Sequence, residues 1–323
     1  MKISDYLIKI FKIINKFTIL EKAVFLLLII LIIMFLINLK CKKEGFKTNS
    51  ADKELIKRSG TDIFDDFYVD IYDDLVYNNS KNTFEVEEII NIDIKNNQKP
   101  VLLDIGCGTG HHINRFNKKN ISSIGIDISP AMIKKAKENY PDCEFKVTNA
   151  LNSMEFNSET FTHITCLYFT IYYIKDKQRF FENCFNWLTH GGVLVIHLVD
   201  MKQFDPILPI SNPFIIVSPQ NYAQQRITES IVKFDTMDYK SKFELDGNIN
   251  SNTNSLEVPN AVFKEVMNFK DSNKRRINEH KLYMQTQKSI LSIAKTVGFI
   301  FEKQEEMVKV QYENNYLYTL RKP

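Results

Sequence analysis

At 323 residues and 44% hydrophobic content, the chain is long enough to bury a substantial core and too apolar to be disordered. With 42 basic against 39 acidic residues, its formal charge of +3 gives no support to a dedicated nucleic-acid surface, and no nucleic-acid partner is expected. Five cysteines (Cys41, Cys107, Cys143, Cys166, Cys184) without a CxxC pair read as reduced thiols, so neither a disulfide scaffold nor a metal site is expected.

In chain order, residues 1–22 come first; Tyr6, Leu7, Ile10, Phe11, Ile13, Ile14 and Phe17 recur at helical spacing among lysines. This pattern suits either an amphipathic segment lying on an anionic leaflet or an extension of the helix that follows. Residues 23–39 carry no charge and one polar side chain, Asn38, and are expected to form a single transmembrane helix. Their reach of about 26 Å is a little short of a bilayer core, a gap that Lys22 and Lys40 can close by snorkelling. Lysines flank the run on both sides, so charge does not orient it. A polar stretch, 40–60, reads as a tether, and the catalytic body is expected over 61–323.

From Pro100 onward, short β-rich runs alternate with helical ones: VLLDI, a helix from about His111, ISSIGID, SPAMIKKAKENY and CEFKVTN, then FTHITCLYF, DKQRFFENCFNWL and GGVLVIHLV. His190 and Gly191 look like a helix stop. This alternation predicts an α/β, Rossmann-like, doubly wound and mainly parallel sheet. Between Met201 and about Gln285 the pattern breaks, and three runs of apolar and polar alternation predict an inserted antiparallel cap over 201–285, with DSNK as a hairpin turn. The end, TQKSILSIAKTV, GFIFEKQEEM and NNYLYTLRK, predicts a helix and a hairpin that supplies an antiparallel last strand.

The chemistry concentrates where Val101–Ile105 runs into Gly106, Gly108 and Gly110 and then a helix. Glycines let a ligand approach the backbone, and the helix N-terminus offers free N–H groups. Asp104 is an acid at the end of an apolar strand. Asp127 ends the next strand, where a carboxylate can take both hydroxyls of a ribose. Ser129 and Pro130 then start a helix as N-cap and first helical residue. Strand, loop, helix and acid in register indicate a nucleoside-type ligand. A nicotinamide cofactor is disfavoured because the third glycine arrives one residue before the GxGxxG position.

From about Asp62 to the C-terminus the chain resembles the class I S-adenosylmethionine-dependent methyltransferases of the broad small-molecule type. DIGCGTG, GIDISPAMIKKAK, TNAL, THITCLYFTIYYI and LTHGGVLVIHLVD resemble their successive motifs. The resemblance implies S-adenosyl-L-methionine as cofactor, with Asp104, Gly106, Cys107, Gly108 and Gly110 around its methionine end and Asp127 on the ribose. It further implies Ile128 against adenine, Asn149 and Ala150 at the adenine amino group, and Cys166 and Leu167 presenting backbone groups to the methionine amine and forming the floor under the sulfonium. Asn149 departs from the acid usual at its position, although its carbonyl can still accept a hydrogen bond.

The segment FYVDIYDDLVY resembles a helix that covers the cofactor in this family, which makes Tyr68 and Tyr72 candidates for a lid; the competing reading is an aromatic face in the core. For acceptor contact or proton removal the candidates are Asp200, His111 and Tyr72, with His112 and His163 behind them and His197 read as a core residue. The implied activity is methyl transfer to a small molecule or lipid by a membrane-held domain facing the cytosol. The alternative weighed against it is a catalytically weak methyltransferase-like membrane scaffold.

Overall fold

The computed structural model describes residues 54–94, 99–206, 219–246 and 257–323, together with isolated positions between Thr18 and Ile30. The chain divides into two units, Met1–Asp52 and Lys53–Pro323. In the first, Leu20, Lys22, Val24, Leu27, Leu28 and Ile30 are helical, and the five apolar side chains are exposed. Among the described residues no helix is long and apolar enough to cross a membrane. The amphipathic segment expected over 1–22, the span expected over 23–39 and the first part of the tether lie for the most part outside the described residues.

The second unit is built on a sheet of seven strands: β2 (Val101–Ile105), β3 (Ser122–Asp127), β4 (Glu144–Val147), β5 (Phe161–Cys166), β6 (Leu188–Val199), β11 (Ile300–Glu306) and β12 (Asn315–Arg321). Their spatial order is β11-β12-β6-β5-β2-β3-β4; all pair in parallel except β12, which runs antiparallel to both neighbours. From β2 the chain winds outward to β3 and β4, then returns to β5 on the other side of β2. That reversal opens a crevice at the carboxyl ends of β2 and β5, where ligands bind in such sheets. β5 is buried along its whole length, as expected for a central parallel strand covered on both faces.

Helices cover the two faces. α3 (His111–Lys118) buries Ile113 and Phe116, and α4 (Pro130–Asn139) starts on the predicted cap, Ser129 Oγ accepting from the Met132 N–H (3.1 Å). α6 (Lys177–Trp187) buries Phe180, Phe181, Cys184 and Trp187 at helical spacing, and α7 (Gln287–Val297) buries Ile290, Ile293 and Ala294. The predicted helix stop at His190 and Gly191 is corrected: α6 ends at Trp187, and both residues lie within β6, where Gly191 has φ of +76° beside a register shift against β5. The glycine lets the strand step past its neighbour without breaking.

A second sheet has the order β1-β10-β9-β8-β7, with β7 (Glu229–Lys233), β8 (Met237–Leu245), β9 (Ala261–Phe269) and β10 (Lys274–Leu282) forming an antiparallel meander. Its fifth strand, β1 (Glu54–Ser59), comes from the stretch read as tether over 40–60 and pairs in parallel with β10. Five of its six side chains are exposed, so composition alone reads it as linker; the strand exists because β10 offers it a free edge. Helix α1 (Asp66–Val76) stands against this sheet, packing Tyr68 and Leu75 with Met237, Tyr239 and Met267. Helix α2 (Asn79–Ile90) follows it, and the short α5 (Thr170–Tyr173) follows β5.

Candidate active site

The site begins where β2 ends. Gly106 and Cys107 N–H groups both donate to Ile126 O (2.8 and 3.0 Å), which ties the loop to β3. Gly106 has φ of +74°, and a Cβ there would lie 2.5 Å from the Thr170 side chain, so both backbone and space demand glycine. At Gly110 the reason is packing: a Cβ would meet Phe145 at 2.7 Å. Gly110 is accordingly absent from the cavity wall, whereas Gly106, Cys107, Gly108 and Thr109 are on it.

Two carboxylates flank the loop. Asp104 is buried, with Oδ1 accepting from the Thr165 hydroxyl (2.7 Å), and burial raises its pKa. Asp127 accepts on Oδ1 from the Ser129 N–H (2.8 Å) and on Oδ2 from the Gly108 N–H (3.1 Å). Burial nevertheless pushes Asp127 up to about 6, against these backbone donors. Ile128 beside it is 46% exposed at the cavity wall, an apolar surface left for a flat apolar ligand to cover. Ala150 and Leu167 also line the cavity. Asn149 lines it too, but its Oδ1 accepts from the Leu151 N–H (2.9 Å), so the carbonyl expected to meet adenine is engaged locally. Cys166, whose expected role is through its backbone groups, has its side chain fully buried in the sheet core and off the wall.

A single cavity of about 640 Å³ runs from this loop to the second sheet. Tyr72 lies over the loop, 3.7 Å from where a Gly108 Cβ would be, and Tyr68 reaches the cap, its hydroxyl donating to Glu265 Oε1 (3.0 Å). His111 is neither free nor exposed. Its Nε2 meets Asp73 Oδ2 (2.9 Å), its Nδ1 meets the Tyr140 hydroxyl (2.7 Å), and Tyr77 stacks on it at 4.2 Å. Thr109 Oγ1 also donates to Asp73 (2.6 Å), so Asp73 clips α1 onto the glycine loop.

His112 belongs to a buried cluster in which its Nε2 and Lys81 Nζ both reach Glu85 Oε2 (2.8 Å each), with His197 Nδ1 4.0 Å from Glu85 Oε1. Burial would raise the Glu85 carboxyl, but Lys81 and His112 hold it down at about 2. Burial lowers His197 to about 4, so it is neutral near pH 7. Asp200 does not face the crevice: its carboxylate accepts from the Lys202 N–H (3.0 Å) in the turn after β6 and is not on the cavity wall. His163 is buried beside Thr162 and is likewise off this wall.

The far half of the cavity is lined chiefly by Phe64, Tyr168, Tyr173, Phe243, Phe263 and His280; Tyr168 and Tyr173 lie within the THITCLYFTIYYI motif, and no motif marked the other four. Tyr168, at the carboxyl end of β5, holds φ of +53°, a strained conformation of the kind found at functional sites. On β10 the alternate residues Arg276, Asn278 and His280 are all buried, a choice of face that register against β9 makes. At the start of β10, Lys274 and Arg275 are exposed, whereas Arg276 is buried and forks onto Asp65 (2.9 and 2.8 Å). Among the described residues no cluster of three or more His, Cys, Asp or Glu could hold a metal ion.

Residues 102–192, which hold the glycine loop, both carboxylates and the α5 region, match the methyltransferase domain family. Over that span the chain carries a methyltransferase domain. Over 99 residues, 29% of this chain, it is 35% identical to the dTDP-4-amino-2,3,4,6-tetradeoxy-D-glucose N,N-dimethyltransferase of Saccharopolyspora spinosa. The match spans 39% of that relative, and the first curated relatives are covered over 39 to 60% of their length. The methyltransferase fold extends further. An S-adenosylmethionine-dependent methyltransferase from Clostridium acetobutylicum superposes with a TM-score of 0.58 at 16% identity, covering 79% of this chain and 97% of that one. CalS10 of Micromonospora echinaspora, an amino pentose methyltransferase solved with S-adenosylmethionine bound, gives 0.54 at 16% identity, covering 80% and 97%.

Proposed function

We propose that the domain binds S-adenosyl-L-methionine and catalyses methyl transfer to a small-molecule or lipid acceptor held under the second sheet. The observation that carries this reading is the continuity of one cavity from the glycine loop to an aromatic pocket in the cap, so that two ligands can meet inside it.

The residues present suit the cofactor. The loop at Gly106 and Gly108 has no side chain to exclude a ligand, Asp104 stands ready for an ammonium, and Asp127 keeps acceptor capacity on both oxygens for ribose hydroxyls. Ile128, Leu151 and Ala150 offer an apolar slot for a base, with Leu167 at the end of β5. When bound, the cofactor supplies an electrophilic methyl whose bond to sulfur breaks, with its electron pair going to sulfur, as the bond to the acceptor heteroatom forms. The chain then has to align the acceptor and exclude water, work that Tyr72, Tyr68 and the cap are placed to do. The named sugar-nucleotide relative supports a small acceptor. The uncharged run 23–39 supports a membrane anchor, a reading checked by whether the full chain pellets with membranes after a carbonate wash, and use of a cytosolic cofactor supports a domain on the cytosolic side.

Calorimetric titration of the full chain in detergent with S-adenosylmethionine tests the function. Micromolar binding together with transfer of a labelled methyl group into an acceptor panel is expected; no heat of binding would overturn it.

A further inference from the structure

Glu265, in the middle of β9, is fully buried. Its carboxylate has four lone-pair directions, and four donors fill them: Tyr68 and Tyr239 hydroxyls on Oε1 (3.0 and 2.7 Å), Asn278 Nδ2 and His280 Nε2 on Oε2 (3.0 and 2.8 Å). Burial alone would raise this carboxyl, but His280, Asn278 and Tyr239 hold it below the ordinary glutamate value. Glu265 is thus a fixed negative charge. Because it is ionised, His280 Nε2 must carry the proton it shares with Oε2, which leaves Nδ1 unprotonated. That Nδ1 accepts from the Tyr173 hydroxyl at 2.7 Å.

The arrangement crosses from one sheet to the other. Tyr173 lies on α5, whose first residue, Thr170, packs against Gly106 of the glycine loop, and His280 lies on β10 of the cap. The two are locked together by the Tyr283 N–H donating to Tyr172 O (2.7 Å) and by Lys177 Nζ donating to Tyr283 O (2.9 Å). Tyr173 and His280 both line the cavity, with Phe64, Tyr68, Tyr72 and Phe263 around them. A network serving only to hold the cap would have no need to end on a hydroxyl at the cavity wall.

We propose that Tyr173, His280 and Glu265 form a proton relay facing the acceptor, and that the acceptor's attacking nitrogen or oxygen arrives carrying a proton that the relay removes. This rests on the methyl-transfer reading above. As the acceptor's lone pair forms the new bond to carbon, its N–H or O–H proton passes to the Tyr173 oxygen and the Tyr173 proton passes to His280 Nδ1. His280 becomes a cation beside the Glu265 anion, and the proton later leaves to solvent. Tyr173 and His280 are the catalytic pair, and Glu265 is a positioning residue that stabilises the imidazolium. The titratable and charged groups packed around His280 are Tyr68 from α1, Tyr173 from α5, Glu265 from β9 and, through Asn278, Arg276, whose charge is taken up by Asp65. The class of acceptor follows: an amine or a hydroxyl compound, not a carboxylate, which needs no base and would be repelled by Glu265.

The test uses the full chain, wild type and the variants Tyr173→Phe, His280→Gln and Glu265→Gln. Calorimetry with S-adenosylmethionine should give the same Kd within threefold in all four; failure of the wild type to bind would sink the cofactor reading and leave the relay to be judged by its histidine signals. Imidazole nitrogen NMR should show His280 as the Nε2–H tautomer in the wild type and a mixture of tautomers in Glu265→Gln. Any other tautomer in the wild type, or an unchanged one in Glu265→Gln, overturns the relay. On a panel of tyramine, benzylamine, catechol and benzoate, transfer to an N–H or O–H member with kcat lowered about 100-fold in His280→Gln supports it. KM for the cofactor should stay unchanged, and the acid limb of the wild-type pH profile should be lost. Transfer to benzoate alone, or an unaltered pH profile, overturns it. With no transfer to any member, the NMR result decides.

Discussion

Asp127 offers the sharpest test of the cofactor site. Each of its oxygens already takes one backbone N–H, from Ser129 and from Gly108, so each has one acceptor direction left for a ribose hydroxyl. In Asp127→Asn the amide nitrogen must point a donor at one of those two N–H groups, and both charge-assisted bonds to the ligand are lost. At about 1.5 kcal/mol or more for each, the loss is about 3 kcal/mol, or roughly 100-fold in Kd. Burial adds a pH signature: with a pKa of about 6 in the free protein, the carboxylate protonates as pH falls, and affinity should be about tenfold weaker at pH 5 than at pH 7. Folding has the opposite sign here. A carboxyl raised from 3.8 to about 6 contributes stability that is fully present below pH 3.8 and lost as pH rises through 6, so acid weakening of binding cannot come from unfolding through this group. Calorimetry from pH 5 to 8 measures both. Less than a fivefold effect of the substitution at pH 7.5, or a flat profile in the wild type, would refute the argument.

Gly106→Ala should abolish S-adenosylmethionine binding, because its Cβ meets Thr170 at 2.5 Å and φ is +74°; Gly60→Ala, with φ of +61° and nothing within 4 Å, is the control that carries backbone strain alone, and calorimetry separates them. Glu85→Gln should lower stability by about 3 kcal/mol by leaving Lys81 buried without its anion, a fall in Tm of roughly 6 to 12 °C by scanning calorimetry. In the wild type the Glu85 contribution is complete above pH 4.5 and is lost as pH falls toward 2, so acid unfolding should set in below 4.5 and be blunted in the variant. Asn149→Asp keeps one oxygen for the Leu151 N–H and frees the other for the adenine amino group, so binding should tighten roughly fivefold; unchanged or weaker binding would remove Asn149 from the adenine contact.

The motif signals were local, which is why they were legible. Val101–Gly110, the acid at Asp127 and the cap at Ser129 are each contained within one strand–turn–helix unit, and their chemistry depends on spacing that a linear sequence preserves. The alternation of strands and helices likewise dictated a mainly parallel sheet with an antiparallel end. Cys166 and Leu167 are adjacent in sequence and both buried, yet they join different core clusters and only Leu167 reaches the cavity wall.

What lay beyond the sequence depended on contacts between distant segments. β1 reads as linker until β10 offers it an edge, and Asp73 has no visible role until α1 docks on the loop bearing Thr109 and His111. On β10 the period of two marks both faces equally, and only register against β9 decides that Asn278 and His280 turn inward onto Glu265 and toward Tyr173, 107 residues away. The sequence by itself determined the fold class and the cofactor motifs, because they are written in short-range periodicity and spacing. The tertiary structure alone decided the far wall of the cavity, because that wall is assembled from a helix, a strand and a cap whose meeting no local pattern encodes.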